Sequence, residues 1–434
     1  MAPWLLFAVG LLGAVFTVNA LHPVRHVGLV APSFFAGWLT AELTLYHLVW
    51  QVPAAGTLVV AGGLRTWPGE VGLAVALASW VGLGVLQAKA AGAARAVEEA
   101  LRAGLGEGYR ARIAAPLAAG LDAPVPLGKL FFPLRFRDSR VRVKRHLEYA
   151  PGAGKRRQLD VWRPREPVVR APVLLQIHGG AWVIGDKGQQ ALPLMVHLAA
   201  RGWVCVAVNY RLSPRAKFPD HLIDCKLALK WVREHIAEHG GDPDFVVVTG
   251  GSAGGHLASL VALTANDPAY QPGFEDVDTS VAGCVPFYGV YDFTNRFGIR
   301  GRGDAMGGFL ARLVMRGTVD TAREAYDRAS PMSRVHAGAP PFLVVHGTHD
   351  NLAPVEEARR FAAMLREASR EAVVYAEIPG AHHAFEVFYS LRAIHVVHGV
   401  ERFLAWLRST RRASGAGESR SPAPAIAEVG ADSH

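Results

Sequence analysis

Thr249-Gly250-Gly251-Ser252-Ala253-Gly254-Gly255-His256 is the stretch on which the fold turns. The apolar run Phe245-Val246-Val247-Val248 precedes it, and Leu257 to Leu263, a helix-forming segment, follows. A strand, a tight turn with Ser at its apex and a helix form the context in which G-x-S-x-G carries a nucleophile. Gly250 and Gly254 leave room for a strained backbone and close strand–helix packing, so Ser252 can project above a sheet. The amides of the following helix favour negative charge developing beside the Ser. A Gly/Ser-rich loop matches the same five residues, so the surrounding chain has to decide.

Upstream, Val141 to Val143 and Leu159 to Trp162 alternate with period two around a Pro-Gly-Ala-Gly turn, which predicts a hairpin. Val173 to Ile177 is a buried strand running into His178-Gly179-Gly180-Ala181-Trp182, and Trp203 to Val208 is another, ending in Asn209-Tyr210-Arg211-Leu212-Ser213-Pro214. A helix is expected from Phe218 to His239. Downstream, strands at Val281–Phe287, Phe342–His346 and Ala372–Ile378 alternate with helices at Val355–Leu365 and Phe385–Leu407. That alternation predicts an α/β fold, a mostly parallel sheet with helices on both faces.

A Ser becomes nucleophilic when a base takes its proton and an acid orients the base. The strand ending at His346 leads into Gly347-Thr348-His349-Asp350, and the strand ending at Ile378 leads into His382-His383-Ala384-Phe385. Ser252, Asp350 and His383 therefore occupy loops at the carboxyl edge of the sheet, in the order Ser, acid, His expected of an α/β-hydrolase. His383, beside the predicted helix start, is preferred over His382 as the base. The small residues Gly179, Gly180 and Ala181, with Ala253, supply backbone N–H donors for an oxyanion hole, and His178 completes the motif. Trp182, Tyr288 and Phe309 are candidate pocket residues; Gly308 to Met315 is apolar at helical spacing, with Arg302, Arg312 and Arg316 around it. His235-Ile-Ala-Glu238-His239 matches an inverted zinc-protease pattern but closes a helix with no third ligand in view, so no metal is expected.

These five motifs together resemble the hormone-sensitive-lipase-like family of α/β-hydrolases, particularly carboxylesterases of the bacterial, mycobacterial type. The likeness covers about Val141 to Leu407. It implies ester hydrolysis with Ser252 as nucleophile, His383 as base and Asp350 as its partner, an oxyanion hole from Gly180, Ala181 and Ala253, and no cofactor. Two departures stand out: Gly251 where the family often carries an acid, and Ala181 as the third residue of the usual H-G-G-G.

The first 88 residues have another character. No charged residue occurs from Met1 to Leu21, a second apolar run extends from His26 to about Trp50, broken by Glu42 and His47, and a third spans Val71 to Gln87. They predict a transmembrane segment of about three spans, with Val52 to Leu64 extending the second or lying in the interface. Glu42 is expensive in lipid and is expected to face His47 or a neighbouring helix. Val18-Asn19-Ala20 resembles a signal cleavage site, but no Lys or Arg precedes the run, so it reads as a retained span. Arg25 and the cations after Gln87 put the C-terminal domain in the cytoplasm by the positive-inside rule.

The organisation expected is a membrane segment over 1–88, an amphipathic linker and cap region over 89–135, a catalytic domain over 136–410 with a cap insertion near 291–330, and a disordered tail over 411–434. Cys205, Cys225 and Cys284 are odd in number and set in apolar patterns, hence buried thiols. The net charge of +9 is scattered, which favours lipid headgroups over nucleic acid as its partner. Amide hydrolysis, as of an aryl formamide, uses the same machinery; a binding module on a hydrolase fold would be favoured by loss of Ser252, Asp350 or His383, and all three are present. The expected partners are an ester substrate, small or lipid-like, and membrane lipid. No oligomeric state follows.

Overall fold

The computed structural model describes residues 1–26, 28–301 and 304–418. Eight strands form one sheet: β1 (Val141–Glu148), β2 (Gln158–Pro164), β3 (Ala171–Ile177), β4 (Val204–Val208), β5 (Gly241–Gly251), β6 (Gly283–Phe287), β7 (Phe342–Gly347) and β8 (Val373–Ile378). Their spatial order is β1-β2-β4-β3-β5-β6-β7-β8. β2 runs antiparallel to β1 and β4, and the pairs from β4 to β8 are parallel. This is the α/β architecture expected from the alternation of strand and helix patterns.

Every residue of β3 is buried, because the sheet is covered on both faces. Val173, Leu175 and Ile177 point into one apolar layer, Leu174 into the other. Four helices of the domain are labelled after the four N-terminal ones: α5 (Leu192–Ala200), α6 (Asp220–His235), α7 (Ala253–Leu263) and α8 (Ala305–Phe309, continued as a π-turn over Leu310–Val314). Two more complete it, α9 (Val355–Ala368) and α10 (Leu391–Glu418). α6, α7 and α9 fill one layer, while α5 and α10 fill the other. The three cysteines are buried free thiols.

The final helix begins at Leu391 rather than near Phe385, because the chain from His382 to Ser390 is held in an irregular loop with Ala384 at a positive φ. α10 also continues to Glu418, into the stretch expected to lack structure; residues 419–434 lie outside the described residues, as does Arg302.

The N-terminal helices are α1 (Ala2–Leu21), α2 (Val30–Glu42), α3 (Thr44–Val60) and α4 (Trp67–Leu105). α1 and α4 are each long and apolar enough to cross a membrane. They pack tightly: a Cβ on Gly10 would collide with the carbonyl of Gly72, so the two backbones meet through hydrogen-only side chains. Thr17 and Ser79 join by a hydrogen bond of 2.9 Å, and Trp80 Nε1 donates to Gln51 Oε1 of α3 at 3.0 Å.

Two expectations are corrected here. The run from His26 to Trp50 is not one helix; α2 and α3 meet at an angle of 87° around Leu43. α2 docks on the catalytic domain, and Glu42 makes its polar contacts with neither His47 nor another N-terminal helix. It pairs with buried Arg392 and accepts from Ser390 Oγ at 2.6 Å. The second correction concerns residues 90–105, which continue α4 without a break past Gln87. Ala93, Val97, Leu101 and Leu105 of α4 enter the same apolar layer as α10, so this helix leaves the bundle and becomes part of the sheet's covering.

Candidate active site

β5 ends at Gly251, and Ser252 turns the chain into α7 with φ 58° and ψ −122°. That conformation is costly for a residue with a Cβ and persists where surrounding structure enforces it. Here Gly254 lies against the carbonyl of Ile177 at the end of β3, with no space for a side chain. The elbow is wedged between two strands.

The loop after β7 carries Asp350, and the loop after β8 carries His383. His383 Nδ1 lies 2.7 Å from Asp350 Oδ2. The other carboxylate oxygen accepts the N–H of Leu352 at 2.9 Å and of Ala353 at 2.8 Å. His346 Nε2 stands 3.3 Å from Oδ2, a contact that no sequence motif announces. Burial works to raise the Asp350 carboxyl, but the charge of His383 and the hydrogen bonds from His346 and His383 outweigh it and hold the group well below the ordinary carboxylate range. With Nδ1–H committed to this carboxylate, the Nε2 lone pair of His383 is the basic one.

Ser252, His383, Asp350, Ala181, Trp182 and Phe309 line one cavity of about 870 Å³. The Ser252 hydroxyl makes no hydrogen bond within the described residues, which leaves it available to a substrate and to His383 as the site tightens. Opposite it, the loop after β3 turns through positive φ at Gly180, Ala181 and Trp182. Among the described residues the N–H groups of Gly180, Ala181 and Ala253 meet no acceptor, whereas the Gly179 N–H donates to Gln190 Oε1 at 2.6 Å. Gly179 is therefore removed from the expected set of oxyanion donors. Its amide locks the loop instead, and Gln190, eleven residues away, has no local sequence signature.

The rest of the loop is held from behind. His178 Nδ1 contacts the Gly179 carbonyl at 2.7 Å, its ring stacks on Tyr210 at 4.4 Å, and burial lowers its pKa to about 4. Trp182 Nε1 donates to His256 Nδ1 at 3.2 Å while His256 Nε2 meets the Ala329 carbonyl at 2.7 Å. The pair of contacts fixes a neutral tautomer, in keeping with a pKa lowered by burial to about 3.

Tyr288 does not line the cavity. It sits behind His383, ring centroids 4.5 Å apart, with its hydroxyl on Glu386. The reason is Gly251: a Cβ there would stand 2.6 Å from the Tyr288 hydroxyl, so the ring occupies space that any larger residue would claim. Burial lifts the Glu386 pKa to about 7 against that hydrogen bond. A carboxyl group of another element thus lies behind the elbow, where Gly251 itself offers none. His235 contacts Glu238 at 3.1 Å and His239 stacks on Trp231, a helix-end arrangement.

The sheet order, the strained Ser after β5 and the Asp–His pair at the ends of β7 and β8 define an α/β-hydrolase. Comparison with known proteins narrows this. The BD-FAE family matches residues 159–365. The chain is 43% identical over 433 residues to the probable carboxylic ester hydrolase LipM of Mycobacterium tuberculosis, covering 95% of this chain and 94% of that one. It is 48% identical over 267 residues to esterase LipQ of the same organism, covering 61% of this chain and 62% of that one. Among solved structures, an inhibited esterase B from Lactobacillus rhamnosis has the same fold, with a TM-score of 0.54 at 20% identity, over 75% of this chain and 99% of that one. The chain belongs to the hormone-sensitive-lipase-like carboxylic ester hydrolases of mycobacterial type, and is an enzyme of that class.

Proposed function

We propose that this protein is a membrane-anchored serine esterase that hydrolyses lipophilic carboxylic esters through Ser252, His383 and Asp350. The observation that carries the reading is one cavity bordered by a strained Ser, an Asp-bound His and Ala181, whose N–H, like those of Gly180 and Ala253 next to lining residues, is unengaged among the described residues. Ser252 Oγ attacks the ester carbonyl as His383 Nε2 takes its proton, and Asp350 stabilises the imidazolium. The N–H groups of Gly180, Ala181 and Ala253 receive the oxyanion. His383 returns the proton to the departing alcohol, and water then cleaves the acyl-enzyme by the same steps. These steps call on no metal or organic cofactor.

Anchoring is supported by α1 and α4, and α3, at 17 residues, is the third helix of the bundle. An odd number of crossings puts the N-terminus and the catalytic domain on opposite sides, and the cations beside the domain favour the cytoplasm. Labelling of the full-length protein by a fluorophosphonate, wild type against Ser252→Ala, tests the reading, with p-nitrophenyl esters from acetate to palmitate alongside. Labelling and turnover are expected in the wild type and lost in the variant. A folded wild type that takes no label would sink it.

A further inference from the structure

The loops that carry the acid and the base also hold the membrane segment. His349 and Asn351 flank Asp350, and His382 adjoins His383. The carbonyl of Ala20, at the end of α1, meets His382 Nε2 at 2.9 Å and His349 Nδ1 at 3.2 Å. Asn351 Nδ2 donates to the carbonyl of Val24 at 2.9 Å. Phe34 of α2 stands edge-on to the His383 ring, 6.0 Å between centroids, and Trp38 packs on Phe388. Arg25, His26 and Val30 line the same cavity as Ser252. Arg25 and His26, after α1, and Val30, at the start of α2, are thus a wall of the cavity that holds Ser252.

That wall lies where the bilayer should end. The 87° bend turns α2 away from α3, so α2 crosses the end of the bundle instead of continuing along it. Its inner side is gripped by the catalytic domain through Glu42 and Phe34, while Leu29, Phe35 and Leu39 are exposed apolar side chains. Side chains of that kind beside a bundle of membrane helices fit hydrocarbon and the headgroup boundary.

Building on the esterase reading above, we propose that α2 and the His22–His26 stretch form a gate at the membrane surface. Through it, esters bearing a long alkyl chain reach Ser252 directly from the bilayer, the chain remaining in lipid while the carbonyl enters the cavity. The membrane segment is then part of the substrate site, beyond its use as a tether.

The test uses the full chain in phosphatidylcholine–phosphatidylglycerol vesicles and two substrates, p-nitrophenyl palmitate dissolved in the vesicles and p-nitrophenyl acetate in water. The readout is the ratio of kcat/KM for palmitate to that for acetate. Val30→Trp narrows the cavity mouth, and the double variant Phe35→Lys, Leu39→Lys lifts α2 from lipid. Each is expected to lower the ratio about tenfold or more. A short-chain fluorophosphonate on Ser252 reports folding. If Val30→Trp fails to label, the double variant decides the matter, with Val30→Ala expected to raise the ratio. Labelled variants with a ratio within about twofold of wild type overturn the gate and leave the esterase intact. A folded wild type that cannot be labelled overturns the esterase and the gate together.

Discussion

The catalytic domain and the helices before it contrast in how they carry information. In the domain, each chemical group sits where a strand stops, so motif and geometry coincide: Ser252 after β5, Asp350 after β7, His383 after β8. In the N-terminal segment, apolar composition identifies helices but is silent about what each one touches. α2 is as apolar as α3, yet it lies against protein and ends in an ion pair with Arg392. Hydrophobicity reports removal from water, and a bilayer and a protein surface satisfy it equally.

The largest effect expected lies in the domain. Asp350→Asn should keep the fold and the membrane segment's contacts yet reduce kcat by about 10⁴, because the amide stabilises the wrong His383 tautomer and no imidazolium. Steady-state kinetics on a soluble ester check this. A loss below about tenfold would mean that the acid does not work through His383.

The junction of the two regions should show the next effect. Glu42→Ala leaves the Arg392 guanidinium buried without its carboxylate, at a cost of about 3–5 kcal/mol, while replacing both residues by Met should fall much closer to wild type. Thermal unfolding in detergent, with proteolysis at Arg25, distinguishes these outcomes. Equal destabilisation by the single and double variants would break the view of Glu42 as a docking residue.

The smallest effect depends on pH. His382 is buried, its pKa is lowered by that burial to about 4, and it is faced by His349, Arg392 and Asp350. Above its unfolded value, about 6.5, both states are neutral and the burial carries no proton penalty. As pH falls from about 6.5 to 4 the unfolded chain takes up a proton that the folded chain refuses, so stability declines, by up to about 3 kcal/mol at the acid end. Relative to His382→Gln, the wild type should therefore lose extra stability across that window, measured by paired melts. Parallel curves would show that the burial of His382 carries no proton penalty.

How much was legible follows from these particulars. Strand periodicity and the Ser-acid-His order are local properties, and they disclosed the sheet and the strand-end loops that carry Ser252, Asp350 and His383. The choice of His383 over His382 also rested on local context. What the sequence hid is long-range: Gln190 claiming the Gly179 amide, Tyr288 filling the void at Gly251, His346 steadying Asp350. The break at Leu43 has no Gly or Pro to announce it, whereas Pro53 sits inside α3 without ending it. Punctuation rules misplace such a boundary where neighbouring helices can satisfy the backbone that a proline frees.

α4 runs 39 residues without a joint, roughly 58 Å at 1.5 Å per residue. A hinged tether would let an enzyme swing and sample any height above its membrane. This helix begins in the N-terminal bundle and finishes inside the domain's own core, so it behaves as a fixed mast. Ser252 is consequently held at one height and one azimuth relative to the N-terminal bundle, and adding or deleting a single residue near the middle of the mast would turn the helix face that the domain grips by about 100°.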